Sequence, residues 1–279
     1  MLSLLISLIV CVAAVTASIV YQVGLGGEIF GGLAGFLIPQ FLIGFIARKK
    51  ITAVQNELQE KLANGQKQMN RKIQMFQTKP GGNIKQIQRQ LEGDQKGLIA
   101  EALVFVDRFE PFKKWSPLMG RQIATMRLQF QYQLKEFAAV DKLLATAGLF
   151  TGPIMMEPIT VAMKIARQYK NGDVAGAEKT FKSRVKWFRG SRGTLLYGLM
   201  SWIYMQQGES EKARMLLVKA KEITGDKTLA GNWELLSNNK DAAFSNAGLG
   251  EEWYALYLEN PPMPKQQRMR GNAHGGRRF

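Results

Sequence analysis

Two long apolar stretches at the start of the chain constrain its fold more than any other feature. Residues 1–20 and 29–47 contain no charged side chain, and all 38 lysines and arginines of the protein follow them. As a helix rising 1.5 Å per residue, a stretch of about 20 residues matches the roughly 30 Å hydrocarbon core of a bilayer. Residues 1–47 are therefore predicted to form a transmembrane helical hairpin.

The charges around these stretches predict which way the hairpin faces. The connecting segment 21–28 has one acidic residue and no basic one, whereas Arg48, Lys49 and Lys50 follow the second stretch directly. By the positive-inside rule, both termini then lie in the cytoplasm. A cleaved secretory signal is the competing interpretation, but the first residues lack the basic segment that a signal requires. We expect an integral protein with two spans in a bacterial inner membrane.

Small residues in the two predicted spans are spaced for close helix packing. Gly27, Gly31 and Gly35 fall on one face of the second span, and the first span offers matching small pairs, which are Ala13 with Ala17 and Ala14 with Ser18. Such faces let helix backbones approach closely in lipid. The pairing could lie within one chain or between two, which leaves a homo-oligomer open. Neither span contains a charged residue, so a transporter has little support.

The remainder of the chain is strongly basic and poor in reactive side chains. Residues 48–279 carry 38 basic and 21 acidic residues (22 less Glu28), and this net charge of +17 favours anionic neighbours. The only cysteine is Cys11, in the first span, and the only histidine is His274, close to the C-terminus. These counts exclude an intrachain disulfide framework, a Cys/His zinc site and the Ser/His or Cys/His catalytic pairs. With no phosphate-binding loop or dinucleotide fingerprint either, we expect no enzymatic activity, catalytic residue, metal or cofactor.

A long amphipathic helix, the stalk, is predicted directly after the spans, over residues 48–79. Its apolar residues recur at spacings of three, four or seven, at Ile51, Val54, Leu58, Leu62, Met69, Ile73 and Phe76. This narrow stripe is typical of a helix that pairs as a coiled coil or lies against the helices that follow. Pro80 and the glycines after it end the helix. We interpret the stalk as a spacer that sets a distance from the membrane.

Residues 84–260 are predicted to be all-α, because helical spacing of apolar residues persists with almost no two-residue alternation. Two turns that combine glycine with an acidic residue, at Gly172 and Gly208, lie 36 residues apart, and an alanine follows each glycine after five residues. Around the second turn, the segment 197–225 resembles a tetratricopeptide repeat, through Tyr197, Met200, Ser201, Tyr204, Gly208, Ala213, Leu217 and Ala220.

Two weaker copies precede this segment. In the nearer one, Val161, Ile165, Ala177 and Phe181 fit the pattern, but Lys164 and Arg184 stand where an apolar and a small residue are expected. The farther copy is faint, through Leu128, Val140, Leu144 and Ala147, and has Lys135 at its turn. The period therefore predicts three helix pairs, of which one matches the family pattern well.

The resemblance implies a tetratricopeptide-like α-solenoid of stacked helix pairs, with a generic helical bundle as the alternative. It also implies that a protein partner binds along the face of the first helices, close to Tyr197, Met200 and Tyr204. After the repeats, residues 250–258 are expected to form a terminal helix that caps the stack through Trp253, Leu256 and Tyr257.

A second candidate surface is basic. Helical spacing over residues 179–192 would place Lys182, Lys186 and Arg189 on one face, opposite Phe181 and Phe188. The candidate anion-binding residues are Lys182, Lys186, Arg189 and Arg192, with Arg277 and Arg278 in the tail 261–279, which has no acidic residue and is predicted to be disordered. A merely solvated helix face explains the same pattern.

These observations favour a membrane-anchored scaffold that binds a protein partner at the cytoplasmic face of the membrane. The alternative is a membrane-tethered binder of anionic lipid or nucleic acid such as RNA, acting through residues 179–192 and the tail. The scaffold hypothesis rests partly on the repeat resemblance, and a fold alone does not determine function.

Overall fold

The structure is a computed structural model that describes residues 2–78, 84–116, 118–146 and 151–261. Within these ranges the chain is helical and contains no strand, which confirms the all-α prediction. The chain divides into two compact units, Met1–Arg184 (unit 1) and Val185–Phe279 (unit 2). The predicted tail beyond residue 261, with Arg277 and Arg278, lies outside the described residues, as does Ala147 of the faint repeat copy.

Unit 1 begins with two long helices, α1 (Leu2–Val20) and α2 (Gly24–Thr78). Because its 55 residues form one helix, α2 is about 80 Å long and joins the predicted second span to the predicted stalk without a break. The helix continues through Pro39. The apolar stretch and the stalk are therefore parts of a single element.

The two apolar helices pack against each other through small residues. A side chain built at Gly35 would lie 2.8 Å from the Cβ of Ala14, and one built at Gly31 would lie 2.8 Å from the Oγ of Ser18. These two glycines therefore permit a close approach to α1. Gly27 instead faces Val23, which lies in the connection just before α2 begins. It therefore contributes to the connection rather than to the contact with α1.

Five further α-helices complete unit 1. They are α3 (Ile84–Phe105), α4 (Met119–Gln133), α5 (Phe137–Ala145), α6 (Pro158–Lys170) and α7 (Val174–Arg184), with a 3₁₀ helix at Val106–Lys114 between α3 and α4. The helix α3 and the 3₁₀ helix lie against α2 and bury its stripe. The resulting core contains Ala47, Ile51, Leu58, Ala102, Phe105, Val106, Phe109, Met119 and Ile123.

This core decides between the two predictions made for the stalk. Its apolar stripe lies against the following helices, since Ile51 and Leu58 are buried within unit 1 and Val54 and Leu62 pack beside them. Helix α3 runs antiparallel to α2, since Lys72 pairs with Asp94 and Lys61 pairs with Glu101. The segment that follows α3 brings Trp115 to the start of α1, where the Ser3 hydroxyl donates a hydrogen bond of 3.1 Å to the Trp115 carbonyl.

Three turns between paired helices share one geometry. The residues Lys135, Gly172 and Gly208 have φ values of 62°, 81° and 74°, in the left-handed region. In each turn, the N–H of the following residue donates a hydrogen bond of 2.9 Å to the carbonyl of the residue five positions before it. This is the Schellman arrangement that ends a helix. Lysine adopts it here at a steric cost that glycine avoids.

The helix boundaries follow the same period. The first helices α6 and α8 begin at Pro158 and Thr194, and the second helices α7 and α9 begin at Val174 and Ser210, so each pair of starts differs by 36 residues. Within each unit, the two helices of the pair pack together. The repeat period read from the sequence thus fits the element boundaries.

Unit 2 contains α8 (Thr194–Gln206), α9 (Ser210–Thr224), α10 (Lys227–Ser237) and the short α11 (Glu251–Tyr254). The predicted terminal helix 250–258 is wrong in length, because α11 ends at Tyr254 and Tyr257 has a φ of 53°. Its packing role fits the expectation, since Trp253 and Leu256 are buried.

Two polar clusters hold the C-terminal segment of unit 2 onto its helices. The Asn246 side chain is fully buried and donates to the Gly198 carbonyl of α8 at 2.7 Å, and it accepts from Asn232 of α10 at 3.0 Å. Farther along, the Glu259 carboxylate accepts from the indole N–H groups of Trp202 at 2.6 Å and Trp253 at 2.8 Å. Asn246 and Gly198 are 48 residues apart in sequence, and Trp202 and Glu259 are 57 apart. These long-range contacts attach the C-terminal segment to α8.

Candidate functional site

The residues predicted to bind a protein partner lie in the core of unit 2. Met200 is fully buried, and Tyr197 and Tyr204 are each 8% exposed. Burial also raises the pKa of the Tyr197 hydroxyl. These three side chains therefore offer a partner little surface.

The predicted basic face on residues 179–192 does not form a single helix face. Helix α7 ends at Arg184, a 3₁₀ turn follows at Val185–Trp187, and Gly190 adopts a φ of 60°. Because the helical spacing stops at Arg184, Lys182 is not in register with Lys186, Arg189 and Arg192, which belong to unit 2.

Individual side chains of this segment are also engaged. Lys182 forms an ion pair with Glu178 at 2.9 Å, and the Arg192 guanidinium lies 5.7 Å from the centre of the Phe188 ring. Of the two neighbouring aromatics, Phe188 is buried, whereas Trp187 is 71% exposed.

A pocket of unit 1 between α6 and α7 concentrates positive charge. Its volume is about 310 Å³, and its lining combines three basic residues, two hydroxyls, an amide and an apolar floor, namely Lys164, Lys179, Arg184, Thr180, Ser183, Gln168, Gly176, Met155 and Val161. Among the residues that the structure describes, none that lines this pocket is acidic. Burial, and then the nearby charge of Arg184, lower the pKa of the Lys164 ammonium group. Lys164 is therefore a partly buried cation next to Arg184, whereas Lys179 and Arg184 are exposed to solvent.

The pocket also contains a buried polar atom that lacks a hydrogen bond. The side-chain oxygen of Gln168 is inaccessible to solvent and has no partner within the described part of the chain. A buried polar atom of this kind is costly unless something pairs with it. The lining residue Gln168 therefore has a buried oxygen without a hydrogen bond, in addition to the three basic side chains of the pocket.

Sequence reasoning had the signal for this pocket but did not use it. Lys164 and Arg184 were the two departures from the repeat pattern in the nearer copy, and the structure brings both to one pocket. Thirty-six residues later, the equivalent positions are Met200 and Ala220, which are fully buried core residues. At the corresponding positions α6 and α7 carry cations, of which Lys164 is partly buried and Arg184 is exposed.

A larger pocket of about 500 Å³ lies between α2 and α3, and its charges are already paired. Lys72 bonds Asp94 at 2.6 Å, and Lys61 bonds Glu101 at 3.0 Å. Its charged groups therefore need no outside ion. Of the residues that the structure describes, no group of three or more His, Cys, Asp or Glu side chains could hold a metal ion.

The two N-terminal helices present apolar side chains to their surroundings. Leu2–Val20 and the helix from Gly24 to Phe76 are long and apolar enough to cross a membrane, and their most apolar windows are only 11% and 6% buried. Leu8, Ile9, Phe30 and Phe41 are among the side chains more than half exposed. Comparison of the chain with protein-family models, curated proteins and solved structures gives no match.

Proposed function

We propose that the protein is a membrane-anchored, non-enzymatic scaffold that binds a protein partner at the cytoplasmic face. In this proposal, α1 and the apolar part of α2 cross the membrane as a hairpin and leave both termini in the cytoplasm. One observation carries the anchor, which is the exposure of most large apolar side chains on α1 and on the apolar part of α2. A soluble protein rarely exposes so large an apolar patch, whereas lipid would cover it.

The packing of unit 1 supports a position directly at the membrane surface. The hydrogen bond from Ser3 to the Trp115 carbonyl links the first residues of α1 to the segment that follows the 3₁₀ helix. Ala47 and Ile51, at the end of the apolar part of α2, belong to the core of the same unit. Trp115, partly exposed beside Lys113 and Lys114, would then lie at the interface where tryptophan and basic residues are favoured.

The scaffold role is supported by the helix pairs. Three helix turns of one geometry, two of them separated by the 36-residue period, resemble the construction of tetratricopeptide repeats. The predicted binding residues are buried, so a partner would contact other side chains, of which the exposed Trp187 is the largest in unit 2. Tryptophan at such a position is a frequent anchor of protein interfaces.

Labelling of single cysteines tests the anchor and its orientation. Cys11→Ser removes the only cysteine, after which Tyr21→Cys places a thiol between the predicted spans and Gln66→Cys places a matched thiol on the exposed side of α2. In intact cells, a membrane-impermeant maleimide should label position 21 only, and position 66 should react after lysis. Extraction of the protein by carbonate would refute the anchor. Labelling of position 66 but not of position 21 in intact cells would refute its orientation.

Crosslinking from native membranes tests the scaffold. A photoreactive residue in place of Trp187 should capture one protein reproducibly, and the same residue in place of Gln66 should not. Capture that persists as salt rises from low to physiological concentration supports protein binding. A steep loss over that range would instead indicate electrostatic binding to an anionic polymer or surface.

A further inference from the structure

We propose that the pocket between α6 and α7 binds the phosphate group of a phosphomonoester, held by Lys164, Lys179 and Arg184. This site includes Lys179 and Arg184 of the segment 179–192 but none of the residues Lys182, Lys186 and Arg189 of the predicted basic face, and it is separate from the partner-binding role. It does not depend on the membrane anchor. The ligand is either a soluble phosphate ester or a lipid whose headgroup ends in a phosphate, since both present the same chemistry.

The charge of the pocket selects a phosphate over a singly charged anion. Three basic side chains line it, and the lining contains no carboxylate. A phosphomonoester carries close to two negative charges and three acceptor oxygens at neutral pH, whereas a carboxylate carries one charge and two oxygens. A guanidinium and two ammonium groups can satisfy all three phosphate oxygens.

A neutral donor completes the site. The Thr180 hydroxyl lies in the lining beside the basic groups. The Gln168 oxygen, buried without a partner among the residues described, indicates an amide with unused hydrogen-bonding capacity. That oxygen is inaccessible to solvent, so it lies away from the space open to a ligand.

The repeat offers an internal comparison that separates function from folding. In the α8–α9 pair, the positions of Lys164 and Arg184 are occupied by Met200 and Ala220, both fully buried. The same helix-pair geometry therefore forms without the two cations. In α6, burial and the nearby charge of Arg184 lower the pKa of the partly buried Lys164, so a bound anion would favour its ammonium form, whereas Arg184 itself is exposed.

The size of the pocket limits the ligand. A volume of about 310 Å³ is at the lower end of the range of ligand pockets, roughly 300–1,000 Å³. Met155 and Val161 form an apolar floor, and both are buried. The pocket therefore suits a phosphate with a short organic group attached, rather than a nucleic acid strand.

The test uses the full-length protein in phosphatidylcholine nanodiscs and two probes. Radiolabelled glycerol 3-phosphate represents a soluble ester and is measured by equilibrium dialysis. Phosphatidic acid added to the nanodisc represents a lipid headgroup and is measured as lipid retained by the protein in native mass spectrometry. Acetate serves as the singly charged control for the first probe.

The variants follow the internal comparison. Lys164→Met and Arg184→Ala install the residues of the α8–α9 pair, so the fold should persist, and each should weaken binding of the effective probe about tenfold or more. Lys182→Met removes a cation of α7 that lies outside the pocket and is paired with Glu178, so binding should change less than about twofold.

The outcomes are distinct. Binding of glycerol 3-phosphate alone identifies a soluble ligand, and retention of phosphatidic acid alone identifies a headgroup, and either result supports the site. The proposal is overturned if neither probe binds the wild type. It is also overturned if Lys164→Met and Arg184→Ala leave binding unchanged, or if Lys182→Met weakens it equally.

Discussion

Replacing Glu259 should loosen the C-terminal segment of unit 2 far more than its partly exposed position indicates. Its two carboxylate oxygens accept from the indole N–H groups of Trp202 and Trp253, at 2.6 and 2.8 Å. The two indole rings meet edge to face, with centres 5.7 Å apart, and Trp253 is fully buried. Glu259→Ala therefore removes the carboxylate acceptor of two indoles at once.

The magnitude follows from these two bonds. An unsatisfied buried donor costs about 1–3 kcal/mol, and because both bonds are only partly buried, losing the two acceptors should destabilise the segment by about 2–4 kcal/mol, the lower part of the summed range of about 2–6 kcal/mol. In hydrogen–deuterium exchange, where amides exchange through reversible opening, this corresponds to about 30- to 900-fold faster exchange. The affected amides should be those of α8 and of residues 250–259.

Two controls define the result that would refute this reasoning. Glu259→Gln keeps one acceptor oxygen, so its effect should be intermediate. Glu234→Ala replaces an exposed glutamate of α10 and should leave exchange unchanged. Exchange in Glu259→Ala within about threefold of the wild type, or equal effects of Glu259→Ala and Glu234→Ala, would show that the two indole bonds do not hold the segment.

Two further predictions concern unit 1. Gly35→Leu should destabilise the α1–α2 contact by about 1–3 kcal/mol, because a Cβ there would meet Ala14 at 2.8 Å. Gly44→Leu is the control, because nothing lies within 4 Å of a Cβ at that position. Thermal unfolding in detergent compares the two variants, and equal midpoints would contradict the contact. Arg167 bonds both oxygens of Asp141 at 2.9 and 2.7 Å, and its hydrogen bonds lower the pKa of that carboxyl. Because the folded-state pKa is depressed, the pair stabilises the protein above the ordinary aspartate pKa of about 4, and this stabilisation is lost as pH falls through the folded-state value. Asp141→Asn should therefore cost on the order of 1 kcal/mol at pH 7, with the difference disappearing in acid unfolding measurements at lower pH; a pH-independent difference would contradict the ion pair.

Local features of the fold could be predicted from the sequence because they depend on neighbouring residues. The uncharged stretches indicated the two long apolar helices, and the stripe from Ile51 to Phe76 indicated the buried face of α2. The turns at Gly172 and Gly208, and even the glycine-free turn at Lys135, adopt the left-handed conformation that ends a helix. Each of these features is set within one or two helical turns.

The features that sequence reasoning missed depend on distant segments. The repeat resemblance implied a partner-binding face close to Met200 and Tyr204, but both are buried, and Asn246 and Glu259 attach the C-terminal segment to α8 from about 50 residues away. No periodicity within α8 encodes that contact. Likewise, the spacing of Lys182 and Lys186 predicted a shared helix face only as long as the helix continued, and α7 ends at Arg184.

The packing of unit 1 bears on the oligomers that the sequence left open. A coiled coil through the stalk would use the stripe of Ile51 and Leu58, but α3 and the 3₁₀ helix already cover it. Pairing of spans between chains would use Gly31 and Gly35, but these glycines already approach α1. At either surface, a second chain would have to displace contacts within the first chain. The net free energy of association would then be only the difference between two similar packing energies. Association through these two surfaces is therefore disfavoured, and unit 1 combines the proposed anchor and the phosphate pocket in one compact body without needing a second chain.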